Sequence, residues 1–173
     1  MVDWGIVSTV RASEDKVMAF VAHHLSLGAA RIWLYFDDPD DPAFAAVAAL
    51  PRVTATLCNS DYWQTNGGRH ERHQNRQSRN AKRAQRVCML PWIAHIDVDE
   101  FLWPTRPIGT LLAEQPDKVM IVRMEPFEAM HDPDLPDDIY TARQFRGALN
   151  DTDIALRPAV LGLYRAVMPA GML

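Results

Sequence analysis

The chain has 173 residues, 48% hydrophobic and 23% charged, with a formal net charge of -4; this is enough for one domain with a sizeable core. The acidic balance argues against a general nucleic-acid binder, and no apolar run approaches the roughly 18 residues that a membrane span needs. The opening "MVDWGIVSTVRASED" has no basic segment typical of a signal peptide, and Cys58 and Cys88 show no metal-ligand spacing and read as free thiols, so the expectation is a soluble cytoplasmic protein.

In chain order, "WGIVSTV" (4–10) is β-branched and predicts a strand that ends at the charged "RASED". Ser13 then precedes apolar residues at helical spacing, Val17, Phe20, Val21 and Leu25, and Gly28 supplies the stop. "RIWLYF" (31–36) predicts a second strand cut off by "DDPDDP", "AFAAVAAL" a short helix, and "RVTATLC" (52–58) a third strand. The polar stretch 69–86 is made of good helix formers and predicts a helix. It is followed by a fourth strand at "WIAHID" (92–97), a short helix at "PIGTLLAEQ" and a fifth strand at "KVMIVRM" (118–124). Strands and helices alternating in this way imply an α/β fold with a mainly parallel sheet. Beyond Met124 the chain turns rich in proline and acid and reads as an irregular functional loop or an insertion, with one more strand or helix at "PAVLGLYRAVM". The apolar ending "PAGML" gives the expectation of a truncated chain.

"IAHIDVDEF" (93–101) places three carboxylates within four positions at the end of an apolar run. In an extended chain, residues two apart share a side, so Asp97 and Asp99 would project together where open α/β sheets bind ligands. Two such carboxylates repel unless something positive lies between them, and a hard Mg2+ or Mn2+ ion suits oxygen ligands of this kind. An ordinary solvated acidic turn is the alternative. Glu100 is expected to point the other way and hold a neighbouring loop.

Other features have plainer readings. Residues 69–86 carry seven Lys or Arg against one acid, Glu71; they form either a solvated helix face or a set in which Arg69, Arg72, Arg76 or Arg79, with Asn75, meets phosphate groups. His23 and His24 are adjacent, so they cannot form an i, i+4 ligand pair, and a packed, hydrogen-bonded role near the sheet is expected. Trp92 and Trp103 bracket the acids and are expected as core or as a wall of the site.

"WIAHIDVDEFLWP" resembles the aspartate motif of GT-A glycosyltransferases, in the family 2-like group with a DxDEF element. "AHHLSLGA", "RIWLYFDD" and "RHERHQNRQSRNAKRA" extend the resemblance over roughly residues 5–130. It implies a single GT-A domain in which residues 1–124 bind a nucleotide-diphospho-sugar, while 125–173 supply an acceptor-side loop and a partial C-terminal portion. It also implies a UDP- or GDP-type donor, a divalent cation (Mn2+ or Mg2+), a glycan or other acceptor, no nucleic acid, and inverting transfer. Asp97 and Asp99 carry over as the metal pair and, with Val98, as donor contacts; Arg11, Asp37, Asp38, Arg72, Asn75 and Arg79 complete the expected donor site. A general base is expected among Glu125, Glu128, Asp132 and Asp134. The chain departs from the family in having "RASED" where Asn-Glu is usual, with Glu14 as the one counterpart, and "DDPDDP" without the usual serine. Two other readings stand beside this one: a degenerate nucleotide-binding domain without activity, and a phosphatase of the haloacid dehalogenase type. The second conflicts with Phe101 following the acids and with three strands preceding them.

Overall fold

Seven consecutive residues, Trp4–Val10, form strand β1, and all of them are buried, as expected for a strand covered on both faces of a parallel sheet. The structure, a computed structural model, describes residues 1–136 and 138–147. Two compact units divide the chain, the first spanning Met1–Val119 and the second starting at Met120.

In the first unit, β1 is followed by α1 (Glu14–Ser26), β2 (Arg31–Phe36), α2 (Ala43–Ala48), β3 (Val53–Leu57), α3 (Ser60–Thr65), α4 (His73–Val87), β4 (Trp92–His95) and α5 (Ile108–Ala113). The four strands make one parallel sheet in the order β3-β2-β1-β4. The chain therefore moves outward from β1 to β2 and β3, then crosses back to pair β4 with the other edge of β1. Right-handed crossovers in opposite directions put their helices on opposite faces, and the two apolar clusters are divided in this way. On one face, Val17, Phe20 and Val21 of α1 and Ala43 and Val47 of α2 pack on Ile6, Val10, Ile32, Leu34 and Phe36. On the other, Trp63 of α3 and Ala84 of α4 pack on Val7, Trp33 and Tyr35. Each large side chain buried here contributes about 1.5–3 kcal/mol.

The helix caps follow from sequence. Asn59 accepts the Tyr62 backbone N–H at 2.9 Å and starts α3. Ser13 occupies the N-cap position of α1, although its hydroxyl turns to Asp15 rather than to a backbone N–H. Gly28 ends the α1 region at φ +93°, a left-handed conformation that glycine adopts freely.

Three expectations need correction. The polar stretch becomes helical at His73 rather than Arg69, and the separate short helix α3 precedes it. The fourth strand stops at His95, short of the acids. The predicted fifth strand at 118–124 does not form: Met120 and Ile121 are 84% and 82% exposed. Its β-branched, apolar composition favours a strand only when a neighbour takes up the backbone hydrogen bonds, and no ladder partner for it exists among the described residues. In the second unit, β5 (Glu128–Ala129) pairs antiparallel with β6 (Phe145–Arg146), and the other described residues of this unit form no further strand or helix. "PAVLGLYRAVM" lies outside the described residues. No described helix is long and apolar enough to cross a membrane.

Candidate functional site

The strand order reverses at β1, whose neighbours β2 and β4 are reached by chain running in opposite directions. A crevice outside the carboxyl ends of the strands at such a reversal is where open α/β sheets take ligands. Arg11 follows β1 directly and is exposed, and the acid-rich segment follows β4.

That segment is a β-turn, not a strand end. The Glu100 N–H donates to Asp97 O at 3.1 Å, and the Asp97 N–H donates to Glu100 Oε2 at 2.9 Å, so the two residues close the turn reciprocally. The expectation that Asp97 and Asp99 share a side because the chain is extended is thus replaced. Ile96 and Val98 are buried in the α1-side core while Asp97, Asp99 and Glu100 are exposed; the core holds the turn by its apolar residues and leaves its acids in solvent. Glu100 serves its own turn rather than a neighbouring loop.

From the opposite face of the sheet, Gln77 of α4 donates to Asp97 Oδ1 at 2.5 Å. No sequence signal distinguished Gln77 from the other polar residues of this helix. Its position, one residue from buried Arg76 and three from buried Asn80, places it on the inner face.

Asp37, just past β2, is the most enclosed acid of the site at 6% exposed. Arg76 grips it with both ends of its fork, Nε to Oδ1 at 2.8 Å and Nη2 to Oδ2 at 2.7 Å, and Arg69 Nη2 adds a contact to Oδ2 at 3.1 Å. Arg76 Nη1 donates to the carbonyls of His70 and Glu71 at 2.9 and 2.7 Å, so four of its five N–H groups are used inside the protein. Burial pushes the Asp37 carboxyl up, but the Arg76 hydrogen bonds and charge, helped by Arg69 and His73, outweigh it and hold the group below the usual carboxylate range. A cavity of about 360 Å³ opens beside this cluster, lined by Asp37, Asn59, Trp63, Gln64 and Arg69 as well as Cys58. Burial, then the charge of Asp37, pushes the Cys58 thiol up to about 12, so it is an un-ionised wall rather than a nucleophile.

The remaining expected donor-site residues scatter. Asp38 is exposed and accepts the Asp40 N–H at 3.0 Å, a local turn. Arg72, at the N-cap of α4, and Asn75 are exposed. Arg79 is half-buried and donates to the carbonyls of Asn66 and Gly68 at 2.7 and 3.3 Å. The structure thus gathers Asp37, Arg69 and Arg76 in one cluster and Asp97 with Gln77 in another. Trp92 is half-buried against the core, whereas Trp103 is 88% exposed.

The base candidates lie in the second unit, and all are exposed. Glu128 pairs with Arg146 at 2.6 Å, Asp132 accepts the Asp134 N–H at 3.1 Å, and Glu125 lies between Met124 and Pro126 in irregular chain.

The donor set at the acid turn fits a hard divalent ion, being carboxylate oxygens with open access. Among the described residues, no group of three or more His, Cys, Asp or Glu side chains gathers to hold a metal, so Asp97 and Asp99 would supply two ligands and leave the rest to water or phosphate oxygens. No known protein family, curated protein or solved structure matches the chain.

Proposed function

We propose that this chain is a GT-A-like, cytoplasmic glycosyltransferase domain that binds a UDP- or GDP-type sugar donor with a divalent cation and passes the sugar to a glycan or other acceptor. The observation that supports this reading is the seating of the acid turn, carboxylates outward, beside the crevice where the strand order reverses. Asp97 and Asp99 would hold the cation. When bound, it would neutralise charge developing on the departing nucleoside diphosphate.

The chain's own residues have separable tasks in this reading. Gln77 fixes the orientation of the Asp97 carboxylate through Oδ1 and leaves Oδ2 for a ligand. The Asp37–Arg76 pair sets the carboxyl end of β2 against the start of α4, which gives the crevice one rigid wall. Arg11, exposed after β1, supplies positive charge for a diphosphate. Glu125, Glu128 and Asp132 remain the candidates for deprotonating the acceptor.

Calorimetric titration with UDP- and GDP-sugars, with and without Mn2+, tests the proposal. Cation-dependent nucleotide binding that disappears in Asp99→Ala is expected. Phosphatase activity without nucleotide affinity would overturn the proposal in favour of a hydrolase.

A further inference from the structure

His23 and His24 reach the two polar atoms of a single residue's backbone. His23 Nε2 lies 2.8 Å from Leu102 O, and His24 Nε2 lies 3.3 Å from Leu102 N. Neighbours on a helix point about 100° apart, yet these two rings lie against each other, centroids 4.9 Å apart at 89°, and each reaches the chain that follows the acid turn.

The hydrogen-bond chemistry fixes both tautomers. A backbone N–H can only donate, so His24 Nε2 is the unprotonated acceptor, and its Nδ1, 2.8 Å from Phe20 O, carries the proton. A carbonyl can only accept, so His23 Nε2 is a donor. His24 is 0% exposed, and burial, then the neighbouring His23, lowers its pKa to about 4, so the neutral form is the resident one. The flanking rings add to the grip. Phe101 stacks on His24 at 6.0 Å and 20°, and Trp103 stacks on His23 at 6.3 Å and 14°.

Phe101 and Leu102 are therefore held by two consecutive histidines of α1, itself locked to the sheet by Val17, Phe20 and Val21. On the other side of the acids, Val98 is buried in the same core. Asp99 and Glu100 are the only residues between these two anchors.

We infer that His23 and His24 are positioning residues for a divalent-cation site at Asp97 and Asp99: by clamping the Leu102 backbone they set the shape of the acid turn, and cation affinity depends on them although neither touches the acids. This rests on the cation reading above. Outer residues that orient ligands typically cost about 10–100-fold in metal affinity when removed.

The test uses the whole chain and Mn2+ alone as the probe, with affinity read by calorimetry and backbone protection by amide hydrogen exchange. His24→Asn keeps a donor near Phe20 O but withdraws the acceptor from Leu102, whereas His24→Gln places an amide oxygen within reach of it. In His24→Asn the Leu102 amide is expected to exchange faster and Mn2+ affinity to fall about tenfold, with β1 and β2 protection unchanged; His24→Gln recovers most of both. His23→Leu, at a half-buried position, removes only the bond to Leu102 O and provides a second variant if His24→Asn does not fold; a weaker affinity is expected there too. Unchanged Mn2+ affinity in a folded variant that has lost protection at Leu102 overturns the inference while leaving the cation reading intact. Failure of the unmutated chain to bind Mn2+ overturns both.

Discussion

Arg76 and Asp37 face each other across the end of the sheet as a two-bond fork, 2.8 and 2.7 Å, with both residues 6% exposed. They are 39 residues apart in sequence, and their pairing ties a helix with few apolar residues to the end of β2. Helix α4 offers Ala81, Ala84 and Val87 as its apolar residues, so much of its attachment is polar: this fork, and Asn80, which donates to Thr9 Oγ1 at 2.9 Å and accepts from the Tyr62 hydroxyl at 2.7 Å.

Removing one partner of the fork is expected to be costly because the other charge stays buried. Arg76→Ala should destabilise the first unit by about 3–5 kcal/mol, and Asp37→Leu combined with Arg76→Met should recover most of that loss. Urea unfolding followed by tryptophan fluorescence measures both. A double variant whose loss equals the sum of the losses in the two single variants would show that the pair is not coupled. The pH sign follows from the depressed Asp37 carboxyl: its contribution is present at neutral pH and is lost only as pH falls through its folded pKa, below about pH 4.

His24 acts in a higher window. Its pKa falls from 6.5 to about 4 in the folded chain, so between these values the unfolded chain binds a proton that the folded chain does not. Its contribution is complete above pH 6.5 and declines as pH drops toward 4, by about 3 kcal/mol. The urea midpoint measured across this range should slope downward toward acid, and His24→Gln should flatten the slope. An unaltered slope in the variant would assign the acid sensitivity to other groups.

Gly5 allows β1 to lie in the middle of the sheet. A Cβ built there would meet Trp33 Cζ3 at 2.6 Å and the Arg31 backbone oxygen at 2.9 Å. The indole can shift, but the paired strand β2 cannot move without breaking its register with β1. Gly5→Ala is therefore expected to cost about 1–3 kcal/mol, seen as a lower thermal midpoint. Gly28→Ala meets no atom within 4 Å and should cost less, through its φ of +93° alone. The reverse ranking would refute the steric argument.

These relationships differ in how far they could be read beforehand. β1 and β2 were legible as short β-branched and aromatic runs ended by charged turns, and α1 by apolar residues at helical spacing, because burial on one helix face repeats with a fixed period. The acid segment was legible in place but not in conformation: Ile96 and Val98 buried with Asp97 and Asp99 exposed mimics strand alternation, although the chain is turning. The run 118–124 has the composition of a strand, but composition does not state whether a ladder partner exists. The Arg76–Asp37 fork and the Leu102 clamp join residues far apart in sequence, and their partners are chosen by topology rather than by local pattern.

Gln77 provides the last test because it touches an acid of the proposed cation site without being able to ligate as a charge. Its amide reaches Asp97 Oδ1 at 2.5 Å, so Gln77→Glu would set a fourth carboxylate at the turn, beside Asp97. Without an ion, this carboxylate would repel Asp97 and loosen the turn; with one, it would add negative charge and a ligand oxygen. Mn2+ affinity should therefore rise about tenfold in Gln77→Glu and fall in Gln77→Ala, where Asp97 loses its orienting donor. The same substitution to Glu lowers stability in the absence of the ion, so the thermal midpoint should become more sensitive to added Mn2+ than in the unmutated chain. Two variants that alter stability but leave Mn2+ affinity equal to that of the unmutated chain would mean that the carboxylates of this turn do not hold the ion.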